Sequence, residues 1–159
     1  MTRITHRTKV SVILWLALMF AVLCSCTPDT STYSHFESVP RQVWHHDLPI
    51  RFEPIWNDST SSHELWVTVR HTQIYPFGTL PMVVDLIGDS GQVIRHRVSL
   101  SVTDGAGNWQ GQGFGTLFQC QVHVASGVTA SHARHVVVWQ AVDSCDALPG
   151  VSDVGILLN

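Results

Sequence analysis

The feature that most limits what this chain can fold into is a recurring strict alternation of apolar and polar residues. Leu65, Val67 and Val69 alternate with Glu64, Trp66, Thr68 and Arg70. Val98, Leu100 and Val102 alternate with Arg97, Ser99, Ser101 and Thr103, and Phe118, Cys120, Val122 and Val124 with Gln119, Gln121 and His123. Successive side chains of a strand point to opposite faces, so each run describes a strand with one buried and one wet side. Val136–Trp139 is a denser β-branched run that suits a strand covered on both faces. Met82–Ile87, Asp89-Ser90-Gly91 and Gln92–Val102 read as strand, tight turn, strand. No window longer than ten residues keeps a helical period. Further turns fall at Asn57-Asp58, Asp104-Gly105, Gly107-Asn108, Ser126-Gly127 and Pro149-Gly150. The expected fold is all-β: about seven to nine short antiparallel strands in a single sandwich of jelly-roll or immunoglobulin-like kind.

The first residues belong to a different problem. Arg3, Arg7 and Lys9 precede an apolar run from Val10 to Leu23 that is broken only by Ser11. A basic segment, a short apolar segment and small residues before a cut describe a secretory signal. The run falls short of the ~20 residues a spanning helix needs. Leu23-Cys24-Ser25-Cys26 refines the reading. Lipoprotein signal peptidase cuts before a diacylated cysteine, with a branched apolar residue three positions upstream and a small residue just before the cut. Leu23, Ser25 and Cys26 fit that pattern, whereas Cys24 would have bulky Leu23 before it. The expected organisation is a lipoprotein signal peptide over residues 1–25, a lipid on Cys26, a Ser/Thr-rich tether over 26–35 and one β-sandwich over 36–159. The acyl chains would hold the domain to a membrane at ~0.8 kcal/mol per buried CH₂.

Charge narrows the partners. The whole chain is 13% charged, with nine Lys and Arg against twelve Asp and Glu; soluble domains average about 25% charged. Removing the signal takes three of the nine basic residues and none of the acidic ones. The remainder is acidic and carries no basic stripe, so a nucleic-acid partner is not expected.

Cys120 and Cys145 remain in a compartment that permits disulfides. If Leu117–Val124 and Val136–Val142 pair as a hairpin around Val128–Ala130, the two sulfurs lie about 20 Å apart. A bridge needs Cα atoms within ~7 Å, so it would form only if the chain turns back after Asp143. Free, partly buried thiols are the expectation.

Ten histidines invite a metal or general-base reading. His45 and His46 are adjacent and would point to opposite faces of a strand. His132 and His135 lie in a loop with no nearby Cys or carboxylate, and His96 and His123 stand alone on strands. Zinc needs three or four converging ligands, and no spacing supplies them. Glu37, Glu53 and Glu64 sit in no recognisable pattern for paired-carboxylate chemistry, and there is no nucleophile elbow. No enzyme activity, metal or cofactor is expected. Trp44, Trp56, Trp66, Trp109 and Trp139 keep open an alternative, a glycan-binding lipoprotein of polysaccharide uptake, which would need two coplanar tryptophans on one face. Trp66 is the one expected to be exposed, since Glu64, Thr68 and Arg70 share its side of the strand.

Several landmarks then occur in order. They are Phe36-Glu37-Ser38-Val39-Pro40, Tyr75-Pro76-Phe77, Asp104-Gly105, Asn108-Trp109-Gln110-Gly111-Gln112-Gly113-Phe114-Gly115, Gln140-Ala141 and Leu148-Pro149-Gly150-Val151-Ser152-Asp153-Val154-Gly155-Ile156. This succession resembles the gliding-motility-associated lipoproteins of Bacteroidota, the GldH family, over essentially the whole mature chain. Gln112, Asp143 and Leu157 depart from it where the family usually carries a positive charge. The resemblance implies a non-catalytic, lipid-anchored accessory protein of the outer membrane. Its implied partners are the membrane and the envelope proteins of gliding and of type IX adhesin export. It also marks Trp109, Gly111, Gly113, Phe114, Asp153 and Gly155 as a candidate interaction surface, although Trp109 also suits a plug at the sandwich end and the glycines suit close strand approach.

Overall fold

A computed structural model describes residues 33–56, 60–143 and 145–159, with Phe114 described in its backbone alone. The signal segment, Cys26, the tether up to residue 32 and the Asn57-Asp58 turn lie outside the described residues. Eleven strands follow one another among them: β1 (Tyr33–Ser38), β2 (Val43–His45), β3 (Ile50–Phe52), β4 (His63–Thr72), β5 (Thr79–Ile87), β6 (Val93–Ser101), β7 (Gln112–Phe114), β8 (Leu117–Val128), β9 (His135–Gln140), β10 (Ala147–Pro149) and β11 (Val151–Leu158). Strand β1 therefore takes in three residues that the sequence assigns to the tether. No α-helix occurs among the described residues.

The strands form two antiparallel sheets, ordered β1-β11-β4-β8-β7 and β3-β9-β5-β6, and a small β10-β2 ribbon. Alternation decides which faces meet. Leu65, Val67 and Val69 of β4, Val154, Ile156 and Leu158 of β11, and Cys120 and Val124 of β8 share one core with Leu80, Met82, Val84 and Leu86 of β5, Val136 and Val138 of β9, and Leu100 of β6. The turn at Asp89-Ser90-Gly91 joins β5 to β6 as expected, with Gly91 at φ +78 and its amide bonded to the Gly88 carbonyl at 3.0 Å. Val136, Val137 and Val138 are all buried, so β9 is covered on both faces, as its composition predicts.

Two expectations fail. Strands β8 and β9 do not form a hairpin: β8 pairs with β4 and β7, while β9 pairs with β5 and β3. A run that is apolar on both sides belongs in the interior of a sheet, and the second sheet offers that place. The thiols of Cys120 and Cys145 are nonetheless free. Trp66 is half-buried rather than exposed, because the His123 ring packs edge-on against it at 5.0 Å.

Candidate functional site

The Asp104–Gly115 segment is built from its first residue outward. Asp104 Oδ1 accepts from the amides of Ala106 at 2.9 Å and Asn108 at 2.8 Å, while Oδ2 accepts from Asn108 Nδ2 at 3.0 Å. These bonds, led by Asn108, hold its carboxyl below the usual range. The loop thus formed delivers Trp109 beside Thr103 and inward, its ring 4.9 Å from His71 and 5.9 Å from Phe118. Trp109 plugs the end of the sandwich. Gly111 follows at φ +93, and a β-carbon there would overlap the Gln119 carbonyl oxygen and come within 2.8 Å of Cys120 Sγ. Gly113 is open, with nothing near a would-be β-carbon; it lies opposite Phe118 in β7, and the next residue, Phe114, opposite Leu117.

Beside this segment lies a cavity of about 310 Å³ walled by Ser101, Gln110, Gln112, Gln119, Gln121 and Cys120. Cys120 Sγ donates to the Gln110 carbonyl at 3.1 Å, and burial pushes the thiol pKa up. A thiol in that state is a hydrogen-bond donor, not a nucleophile. The cavity offers amides and hydroxyls and no general base.

Asp153 and Gly155 sit within β11, on the outward face of the first sheet. Ser38 Oγ donates to Asp153 Oδ1 at 2.9 Å and Ser152 Oγ to Oδ2 at 2.7 Å. The absent side chain of Gly155 lets the Phe36 ring lie on its backbone, since a β-carbon there would stand 2.6 Å from Phe36 Cδ1. Arg70 lies over that ring at 3.9 Å, a cation–π geometry, and its Nε donates to Gln119 Oε1 at 2.9 Å. Cross-strand register thus lines up Ser38, Asp153, Arg70, Gln119 and Gln112 in one outward row. The row joins the Asp153 strand to the start of the Gly113 strand, which the sequence separates by dozens of residues. Phe36 and Arg70, the centre of the arrangement, were not among the sequence candidates. The available signal was an arginine on the wet side of a central strand.

His71 forms the floor beneath Trp109. Its ring stacks 5.6 Å from Phe118 and lies 5.7 Å from Tyr75. Its Nδ1 donates to the Thr72 carbonyl at 3.1 Å, while buried Nε2 has no partner. Desolvation lowers its pKa against the smaller opposing effect of the Thr72 carbonyl. The unfolded chain therefore binds this proton first as pH falls. Stability is full above the ordinary histidine value of about 6.5 and declines below it until the depressed folded value is reached. Urea unfolding at pH 7.5, 6.5 and 5.5 should show a falling midpoint, and His71→Phe should flatten that fall. An unchanged slope would mean the ring is protonated in the fold.

Glu64 Oε2 meets His123 Nε2 at 2.6 Å and accepts from Ser126 Oγ at 2.8 Å, and Ser126 Oγ is 3.3 Å from the same Nε2. In a catalytic triad the acid and the hydroxyl use opposite nitrogens of the imidazole. Here both compete for one, so the trio is a surface hydrogen-bond cluster, with the Glu64 carboxyl held low chiefly by Ser126 and then His123. His123 is therefore not alone on its strand. His135, expected in a loop away from carboxylates, begins β9 and lies 3.5 Å from Glu53. Among the described residues no three His, Cys, Asp or Glu could hold a metal ion.

The tryptophans are dispersed. Trp44 is buried in the β10-β2 ribbon, Trp109 faces inward, Trp66 lies on the outward face of the first sheet and Trp139 on that of the second. Trp56 packs against the His63 ring at 5.5 Å, so no two of these five form a sugar-stacking pair on one sheet face. A groove of about 800 Å³ runs between β1 and the β2–β3 region and is lined by Val39, Trp44, Leu48, Ile50 and Arg51 among others.

Compared with known proteins, the chain matches the family model for the GldH lipoprotein over residues 31–158. It is 27% identical over 146 residues to a gliding motility lipoprotein GldH homolog of Christiangramia forsetii, covering 87% of this chain and 89% of that one. It is also 27% identical over 150 residues to the gliding motility lipoprotein GldH of Flavobacterium johnsoniae, covering 91% and 94% respectively. No solved structure matches.

Proposed function

This chain belongs to the GldH lipoprotein family, and from that premise we propose that it is a non-catalytic, outer-membrane accessory protein of gliding motility and of the type IX export that places the motility adhesin. The observation that carries the reading is the Leu23-Ser25-Cys26 lipobox ahead of a β-domain that matches the family from residue 31 onward. In this reading Cys26 carries the lipid, and a partner from the gliding or secretion machinery docks on the outward side of the first sheet. That side presents the row of Asp153, Arg70 and Gln119, with Gly155 beneath Phe36 and β7, carrying Gly113 and Phe114, at its edge. Trp109 and Gly111 serve this surface by fixing the sandwich end.

The decisive experiment is Cys26→Ala in the living cell, followed by fatty-acid labelling, membrane fractionation, colony spreading and surface adhesin export. Loss of the label, release of the domain from the membrane fraction and loss of spreading and export are expected together. A variant that is still labelled, or that is unlabelled yet spreads and exports normally, would overturn the proposal.

A further inference from the structure

The two ends of the sandwich differ in their link to the N-terminal segment. At one end Tyr33 opens β1 opposite Leu158, which lies opposite Leu65. The same end holds the β5–β6 turn and the β8–β9 connection, tied by the Asp89 amide donating to the Ser131 carbonyl at 3.1 Å. It also holds the segment that follows Phe52, whose strand partner is Val136. Three large apolar side chains stand out here: Ile55 is 72% exposed, Val93 55% and Ile94 40%. Val93 and Ile94 are consecutive in a strand and point to opposite sides, so packing within one sheet face cannot cover both.

We propose that this end is a lipid-contacting rim, with Ile55, Val93 and Ile94 entering the interfacial zone of the membrane that holds the anchor. The inference rests on lipidation at Cys26 as proposed above. Seven residue steps separate Cys26 from Tyr33, at most about 25 Å of extended chain. Tyr33, the first residue at this end, therefore stays within that distance of Cys26 however the domain turns. No such bound holds for the opposite end, where Ile74 and Phe77 are exposed, because the 12-residue β8 alone is about 40 Å long. An acyl anchor gains from a second, weaker membrane signal, and apolar side chains at the interface supply one. Among the described residues of the rim, the carboxylate of Asp89 faces Arg134 at 4.0 Å, and those of Glu53 and Glu64 lie beside the rings of His135 and His123.

The test uses the full lipidated chain in its own envelope, with a photoactivatable diazirine side chain placed at Ile55, Val93, Ile74 or Phe77 in separate variants. Lipid adducts are expected at positions 55 and 93 and background levels at 74 and 77. The double variant Ile55→Glu, Val93→Glu should keep the fatty-acid label and pellet with membranes, yet lose the lipid adduct from a probe at Ile94. Protein adducts at 55 and 93, or equal lipid adducts at both ends, on a chain labelled at Cys26 would overturn the rim alone. An unlabelled Cys26 would overturn the anchor and the rim with it.

Discussion

Gly111→Ala should lower the stability of the domain by about 3 kcal/mol, the sum of a positive-φ penalty of 1–2 and an overpacking cost of 1–3. The new β-carbon would sit at φ +93 against the Gln119 carbonyl and 2.8 Å from Cys120 Sγ. The Gln119 carbonyl is backbone and cannot swing aside, so the chain at Gly111, just before β7, must lift from β8. At this size each kcal/mol moves the melting temperature by roughly 4 °C, so a drop of about 10 °C is expected. Gly113→Ala, two residues on, is the control. Its φ is unexceptional and its surroundings are empty, so the change should stay within about 0.5 kcal/mol. Thermal melts of the two variants side by side decide the matter. If Gly111→Ala melts like the parent, the close approach is not a real constraint. If Gly113→Ala melts normally but the cell no longer spreads, that glycine is kept for a partner.

Trp44→Ala should cost more still, about 3–5 kcal/mol. Trp44 is 2% exposed, belongs to the core and donates its Nε1 proton to the Leu48 carbonyl at 3.1 Å. It also pairs with Leu148, through which the β10-β2 ribbon is held. Truncation removes the fill and leaves that carbonyl without its donor. Trp44→Phe keeps most of the volume and should lose only about 1 kcal/mol, the usual net worth of one hydrogen bond. Urea titration of both variants measures the difference. Equal losses would mean that the indole body fills no space the fold needs.

The long strands were legible because their period is long enough to see: β4, β5, β6, β8 and β9 carry the alternation or the double-sided apolar run that sheets require. Strands β2, β3, β7 and β10 have three residues each, too few for any period to register. The partners of β8 and β9 are not legible from closeness along the chain, since the two strands join different sheets. What decides pairing is which face each strand must bury, and β9 needed neighbours on two sides within a different sheet. The half-burial of Trp66 escapes the sequence for a related reason: its polar neighbours lie on its own strand, but His123 arrives from β8. The candidate surface was half legible. Gly155 and Asp153 stood out in the last strand, while Phe36 and Arg70 meet only once β1, β11 and β4 lie side by side.

Strand β1 runs antiparallel to β11 over six register pairs, Tyr33 opposite Leu158 through Ser38 opposite Asp153. In the arrangement proposed above, a pull from the anchor would enter at Tyr33, and its component along β1 would be opposed by the partner on the outward side of the sheet. Such a load shears the whole ladder at once instead of peeling one bond after another. Phe36, clamped between Gly155 and Arg70, adds a catch against sliding. In the proposed role the domain would thereby be attached through the mechanically stiffer of the two ways a strand can be pulled.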